Sequence, residues 1–186
     1  MPRNSAASVR FANPVATAPV AFARAPQTVS ADLIDYQSKH GCQTYKTGTA
    51  PLSTEKFSLD GDNIFLIIAA LKTRASIMNW DATILNVPVN GVNKNILQHY
   101  SLITKAMTET HVLTYLFTES RKAQDDYLLY ICLRQSLTST ADAAIQSWAE
   151  DFTLSDNNQS LVSGVMLLKI LINSTQADTT AVDNLD

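Results

Sequence analysis

Hydrophobic residues recur every three or four positions through the second half of the chain, from Arg121 to Ala181. This spacing places them on one face of an α-helix. The clearest helical segments are 62–78, 93–103, 108–117, 120–137, 139–148 and 161–172, with shorter candidates at 31–40 and from Asp178. The segment at 120–137 is expected to be the longest helix. The pattern predicts an all-α bundle of about six or seven helices.

Polar residues at the segment ends suggest where these helices begin. Asp62 and Thr108 are candidate caps, and Ser139 with Asp142 resembles a capping box. The expected inward positions are Ile64, Phe65, Ile67, Ile68, Leu71, Ala75 and Met78; Ile96, Leu97, Tyr100 and Ile103; Val112, Leu113, Leu116 and Phe117; and Ala123, Tyr127, Leu128, Tyr130, Ile131, Arg134 and Leu137.

No segment shows the sustained alternation of a half-buried strand. Ile84–Val89 is the only β-branched run, and Pro88 interrupts it. Helix-breaking residues at 86–91 predict a loop, and those at 44–53 predict a break between helices. The polar run 155–159 predicts a turn.

The first thirty residues differ in composition from the rest. They contain Arg3, Arg10 and Arg24 without an acidic residue, and Ala, Ser, Val and Pro dominate. We predict a disordered basic arm at 1–30, followed by a helical domain at 31–186. An organellar transit peptide has a similar composition, but the scattered prolines disfavour its amphipathic helix.

Charge and hydropathy exclude several classes of protein. The net charge is −3, so bulk electrostatics do not favour nucleic-acid binding. The longest apolar run, Ile64–Leu71, is too short to span a bilayer. No membrane partner is therefore expected. Cys42 and Cys132 form no recognisable pattern, which predicts reduced thiols in a cytoplasmic protein.

We find no motif for a catalytic, cofactor-binding or metal site, and the protein is not expected to be an enzyme. The potential metal ligands His40, Cys42, His99, His111 and Cys132 lack the spacing of a zinc site. Asp60-Gly-Asp62 is better explained as a helix cap than as a calcium loop.

Three further observations leave alternatives open. Adjacent residues on a helix point about 100° apart, so Asp125 and Asp126 are expected on a solvated face. Trp80 and Trp148 each close a helical segment, where they either plug the core or anchor an interface. Scattered side chains such as His99, His111 and Asp125 could still meet in a catalytic pocket.

The order and spacing of residues resemble the Gag polyprotein of copia-type LTR retrotransposons, in the divergent form found in algal genomes. The resemblance covers about two-thirds of the chain, and no single motif carries it. The pattern positions are Trp80, Arg121, Gln124, Tyr130, Leu133, Ser136, Leu137, Trp148, Gly164, Leu168, Lys169, Asp178 and Thr179.

This resemblance implies a capsid-like helical domain that self-associates into a shell around element RNA. Each contact between copies can be weak, because many repeated contacts stabilise a shell together. In the family, RNA is usually held by a basic or zinc-knuckle segment downstream, which this sequence lacks. A host interaction module derived from Gag would have nearly the same sequence.

The family pattern continues beyond the Asp178-Thr179 region as another amphipathic helix. Here the sequence ends at Asp186, so a helix begun at Asp178 would have barely two turns. We therefore expect the domain to be truncated, as a fragment, a degraded copy or a mis-predicted gene end.

Overall fold

The computed structural model describes residues 33–59 and 63–183, and within these ranges it is mostly helical. In chain order its elements are α1 (Lys39–Thr49), α2 (Asn63–Met78), α3 (Trp80–Thr83), β1 (Asn86–Val89), β2 (Val92–Asn95), α4 (Lys105–Leu113), α5 (Ser120–Ser136), α6 (Ser139–Gln146), α7 (Ala149–Phe152), β3 (Thr153–Asp156), β4 (Gln159–Val162) and α8 (Gly164–Asp183). The predicted arm at 1–30 and the predicted cap Asp62 lie outside the described residues.

Two β-hairpins make the prediction of a purely all-α fold wrong. Strand β1 pairs with β2, and β3 pairs with β4, both antiparallel. The connections are the two-residue turns Asn90-Gly91 and Asn157-Asn158, whose four residues all have positive φ. This is the type I′ geometry that matches the twist of short hairpins. Each strand has only four residues, too few for a sustained alternation.

Several helix boundaries also differ from the predicted ones. The first helix is α1 rather than 31–40, because Ser38 Oγ accepts a hydrogen bond from the Gly41 backbone N–H. The predicted break at 44–53 is therefore helical up to Thr49. Segment 93–103 forms β2 and then turns, although Ile96, Leu97 and Ile103 are buried as expected.

Threonine caps replace two of the predicted starts. Thr104 caps α4, with its side chain accepting from Met107 N, while Thr108 is buried inside that helix. Thr138, one residue before the expected Ser139, caps α6. Both hydroxyls satisfy a backbone N–H that the first helical turn leaves free.

Helix α8 forms the centre of the molecule. Val165, Met166, Leu167 and Leu168 are all fully buried, so its first turns face other elements on every side. It packs against α5, α4, α7 and α2. Its 20 residues make it longer than α5, and it runs through Asp178 without a second start. Leu161, the expected first residue, belongs to β4.

The contact between α5 and α8 is close enough to require a glycine. A Cβ atom on Gly164 would lie 2.4 Å from Tyr130 N and 2.5 Å from Asp126 O. The backbone of α5 therefore occupies the space that any other side chain would need. The expected core residues of α2 are all buried except Phe65, which is exposed. Of the expected positions on α5, only Leu128 is buried, Tyr127 is exposed, and the others, Ala123, Tyr130, Ile131 and Arg134, are half-buried. Leu113, expected inward on α4, is also exposed.

Candidate functional site

Most positions that carry the resemblance lie within the structural framework. Trp80, Leu133, Ser136, Leu137, Gly164, Leu168 and Lys169 are buried, and Arg121, Gln124, Tyr130 and Trp148 are half-buried. Trp80 is thus a core residue, one of the two alternatives for it. Asp178 and Thr179 lie on α8, and their side chains are outside the described structure.

Three polar pattern positions join connecting segments to the central helices. The Gln124 amide accepts from Ile34 N at 2.9 Å and donates to Ile34 O at 3.1 Å. Ser136 Oγ accepts from Leu52 N at 2.9 Å, and Lys169 Nζ donates to Tyr100 O at 2.8 Å. These side chains satisfy backbone groups near the core, which is a structural role.

A second polar cluster joins α5 to α6. Arg134 donates to both carboxylate oxygens of Asp142, at 2.7 and 2.6 Å, and to the Tyr130 hydroxyl at 3.1 Å. The bidentate contact with Arg134 lowers the pKa of Asp142. Arg134 therefore joins Tyr130, on its own helix, to Asp142 on α6.

Asp125 and Asp126 are both buried, so the expectation of a solvated face is wrong. Arg121, one turn earlier, donates to Asp125 from Nε at 3.1 Å and from Nη2 at 3.2 Å. Burial raises the pKa of Asp125, and the Arg121 guanidinium opposes that rise. Helical spacing brings these two charges together.

The carboxylate of Asp126, on α5, lies at the N-terminus of α8. Its Oδ1 accepts a hydrogen bond from Val165 N at 2.8 Å, where the positive end of the helix dipole favours a carboxylate. Complete burial nevertheless raises its pKa to about 7. Asp126 Oδ2 and the neighbouring Tyr115 hydroxyl are both buried without a hydrogen bond of good geometry. Burial, and then the charge of Asp126, raises the pKa of Tyr115.

The side chains considered for a catalytic pocket are distributed over different sites. Asp125 lines a polar cavity of about 660 Å³ together with His40 and Arg121. His111 lines another cavity, beside Pro88, and its Nε2 is 3.0 Å from Ile84 O. Burial lowers the pKa of His111.

The exposed side of α2 is largely apolar, although Thr73 and Ser76 are also exposed on it. Phe65, Leu66 and Ile77 are 55%, 57% and 65% exposed, and Ala69 and Thr73 lie between them on the same side. Lys72 is the only charged residue among the exposed positions of this helix. We call Phe65, Leu66, Ala69, Thr73 and Ile77 the α2 outer face. The sequence pattern predicted that Phe65 faces inward. Apolar residues occur on all sides of this helix, which was the available sign that some of them are exposed.

A second apolar surface is a groove between the start of the described chain, α5 and β4. Its volume is about 570 Å³, and its lining includes Leu33, Tyr36, Phe117, Tyr127, Leu161 and Val162. Tyr127 is 47% exposed and Leu161 is 40% exposed. We call these six residues the aromatic groove.

Residues 33–59 and 63–183 contain no group of three His, Cys, Asp or Glu side chains arranged to hold a metal ion. In the same part of the chain, no helix has both the length and the apolar character needed to cross a bilayer. Comparisons with protein-family models, with curated proteins and with solved structures find no match to this chain.

Proposed function

We propose that this protein is a Gag-like structural protein whose copies associate through the α2 outer face and build a capsid-like particle around element RNA. The observation that carries the proposal is the exposure of Phe65, Leu66 and Ile77 on one side of a 16-residue helix. The proposed role is cytoplasmic and involves no catalysis.

A helix on the surface of a soluble protein normally presents charged residues to water. On α2 the outward positions are mainly apolar, and burying apolar surface contributes about 25 cal/mol per Å² removed from water. The same helix also packs inward through Ile64, Ile67 and Leu71. It is therefore suited to lie between its own core and a neighbouring molecule.

A second copy of the chain is a suitable neighbour. Leu66 and Ile77 are eleven residues apart, about 16 Å along a helix. In an antiparallel, two-fold pairing of two α2 helices, Leu66 of each copy would approach Ile77 of the other. Lys72, the single exposed charge, lies at the edge of the face and adds little repulsion.

The order of residues supports a Gag-like role for this association. Polar pattern positions such as Gln124, Ser136 and Lys169 are used to hold the fold together. A shell protein needs rigid helices and weak interfaces that are repeated many times. RNA would be held mainly by a downstream segment, because the net charge of this sequence is −3.

The test is the molar mass of the 1–186 chain against concentration, measured by light scattering after size exclusion. We expect the mass to grow with concentration. The double variant Leu66→Asp/Ile77→Asp should remain monomeric, because desolvating four carboxylates at a two-fold interface is costly.

Leu102→Asp is the matched control. Leu102 is 53% exposed, close to the exposure of Leu66, but lies on the turn before α4. It should associate like the unmodified chain, and circular dichroism should show all three proteins folded. Equal association of the double variant and the control would refute the role of α2.

The two alternatives are a host interaction module derived from Gag and a fragment that does not assemble. Both would give a monomer at every concentration. A module would still capture a partner through the α2 outer face, and the double variant would lose that partner. Electron microscopy of associating material would distinguish closed particles from simple dimers.

A further inference from the structure

The aromatic groove is separate from the α2 outer face, and the proposed self-association does not use it. We propose that it binds residues 11–22 of the same chain as an intramolecular ligand. The lining of the groove is mainly apolar and includes three aromatic side chains, through Leu33, Tyr36, Phe117, Tyr127, Leu161 and Val162. Such surfaces are suited to apolar and proline-containing segments.

The chain before the described residues is attached at the groove itself. Leu33 is both the first described residue and part of the lining. Its neighbour Ile34 is fixed to α5, because its backbone N–H and C=O both bond to the Gln124 side chain. The 32 preceding residues therefore connect to a rigid point on the rim.

Residues 23–32 are the tether that joins segment 11–22 to Leu33, and their number suits binding within one molecule. Phe22 and Leu33 are eleven positions apart, and an extended chain of that length spans about 36 Å. A tether of this length gives an effective concentration in the millimolar range. Even a weak contact is then occupied without help from a second molecule.

The chemistry of segment 11–22 matches the lining. Its sequence, FANPVATAPVAF, has no charged residue, and Phe11 and Phe22 stand at its two ends. Arg10 and Arg24 lie just outside it. Pro14 and Pro19 favour an extended polyproline conformation, which loses little entropy on binding. Aromatic side chains such as Tyr36 and Tyr127 offer flat faces to proline rings, a common recognition mode.

The experiment is photo-cross-linking in the full chain. One protein carries Phe22→p-benzoylphenylalanine, and a second carries the same probe at Ala6, outside the proposed ligand. Peptide mapping by mass spectrometry should place the products of the Phe22 probe on the groove residues. The Ala6 probe should give no such preference.

Groove variants make the test specific. Leu161→Asp and Tyr127→Asp change side chains that are already partly exposed, so the fold should tolerate them. Each should reduce cross-linking at the groove about tenfold, the ratio for a loss of about 1.4 kcal/mol. Ile77→Asp, on the α2 outer face, is the matched control and should leave the yield unchanged.

Mixing isotopically light and heavy chains identifies the occupant. Products that join only chains of the same label support the proposal. Products that join light to heavy chains would overturn it, because the groove would then hold a segment of a neighbouring copy. Products scattered over other surfaces, or unaffected by the groove variants, would also overturn it.

Discussion

Asp126 makes the stability of this fold depend on pH. Its pKa is about 7 in the folded chain, against 3.8 for an exposed aspartate. Between those values the folded state keeps a proton that the unfolded state releases. The contribution of Asp126 is therefore fully present below about pH 4 and is lost as the pH rises through 7, by at most about 4 kcal/mol.

Asp126→Asn should remove this dependence. An asparagine keeps an oxygen that can accept from Val165 N–H, and it cannot ionise. We expect the variant to resemble the unmodified chain below about pH 4 and to be more stable at pH 8. Urea unfolding at the two pH values measures this, and an unchanged pH dependence would contradict it.

Asp142 provides a control of opposite sign. Its pKa is lowered, chiefly by the hydrogen bonds from Arg134. Its contribution is therefore present above the pKa of an unfolded aspartate and is lost as the pH falls through the folded value. Asp142→Asn should destabilise the protein at pH 7 and reduce the loss of stability in acid.

The burial of Asp125 and Asp126 could be predicted only in part. Arg121 lies one turn from Asp125 in the sequence, so their ion pair follows from helical spacing. The partner of Asp126 is Val165, 39 residues away. No local pattern indicates that these two residues meet, because the packing of α8 on α5 brings them together.

At the scale of elements, the approach of α8 to α5 depends on Gly164. In Gly164→Ala the added methyl group would meet backbone atoms of Tyr130 and Asp126, which cannot move aside. We expect a loss of about 1–3 kcal/mol or more in the free energy of unfolding, measurable by urea or thermal unfolding.

Gly48→Ala is the matched control. Its added methyl group would meet the ends of flexible side chains, Met78 Cε at 2.9 Å and Leu128 Cδ1 at 3.0 Å. Gly48 also lies in the last turn of α1, where alanine has the better helix propensity by up to about 1 kcal/mol. The two effects should nearly cancel. An equal loss in both variants would contradict the backbone contact at Gly164.

Long segments with sustained periodicity were predicted best. The helices α2, α5 and α6 were expected close to their observed positions, because α2 and α5 are long segments rich in apolar residues and the Ser139–Asp142 pattern marks the start of α6. The hairpins were missed, although Asn90-Gly91 is a strong signal for a two-residue turn. Helix α1 begins at Lys39, later than expected, because the Ser38 side chain caps it there.

At the scale of the whole molecule, the proposed association and RNA binding should respond differently to salt. The sequence has 14 basic and 17 acidic residues, and apolar contacts are not screened by salt. Raising the salt from about 50 to about 500 mM should leave association through α2 unchanged or stronger. Any binding of RNA should be weak and should disappear. Light scattering and fluorescence anisotropy measure the two effects, and salt-driven dissociation would contradict the apolar interface.

The candidate site was less predictable than the fold. Helical spacing identifies Phe65 and Leu66 as neighbours, but their exposure depends on which side of α2 faces α8 and α1. The aromatic groove joins residues near 36, 117, 127 and 161. Its existence depends on tertiary packing between segments far apart in the sequence.

The central position of α8 has a consequence for synthesis on the ribosome. This helix follows the other described elements in the sequence, yet Val165–Leu168 lie at the middle of the core. A nascent chain that has not reached Gly164 lacks the surface on which α4, α5 and α7 pack. At about 5–20 residues per second, the earlier helices wait several seconds with their apolar sides uncovered. Folding should therefore begin only after most of the chain has left the exit tunnel, and chaperones have that interval in which to bind.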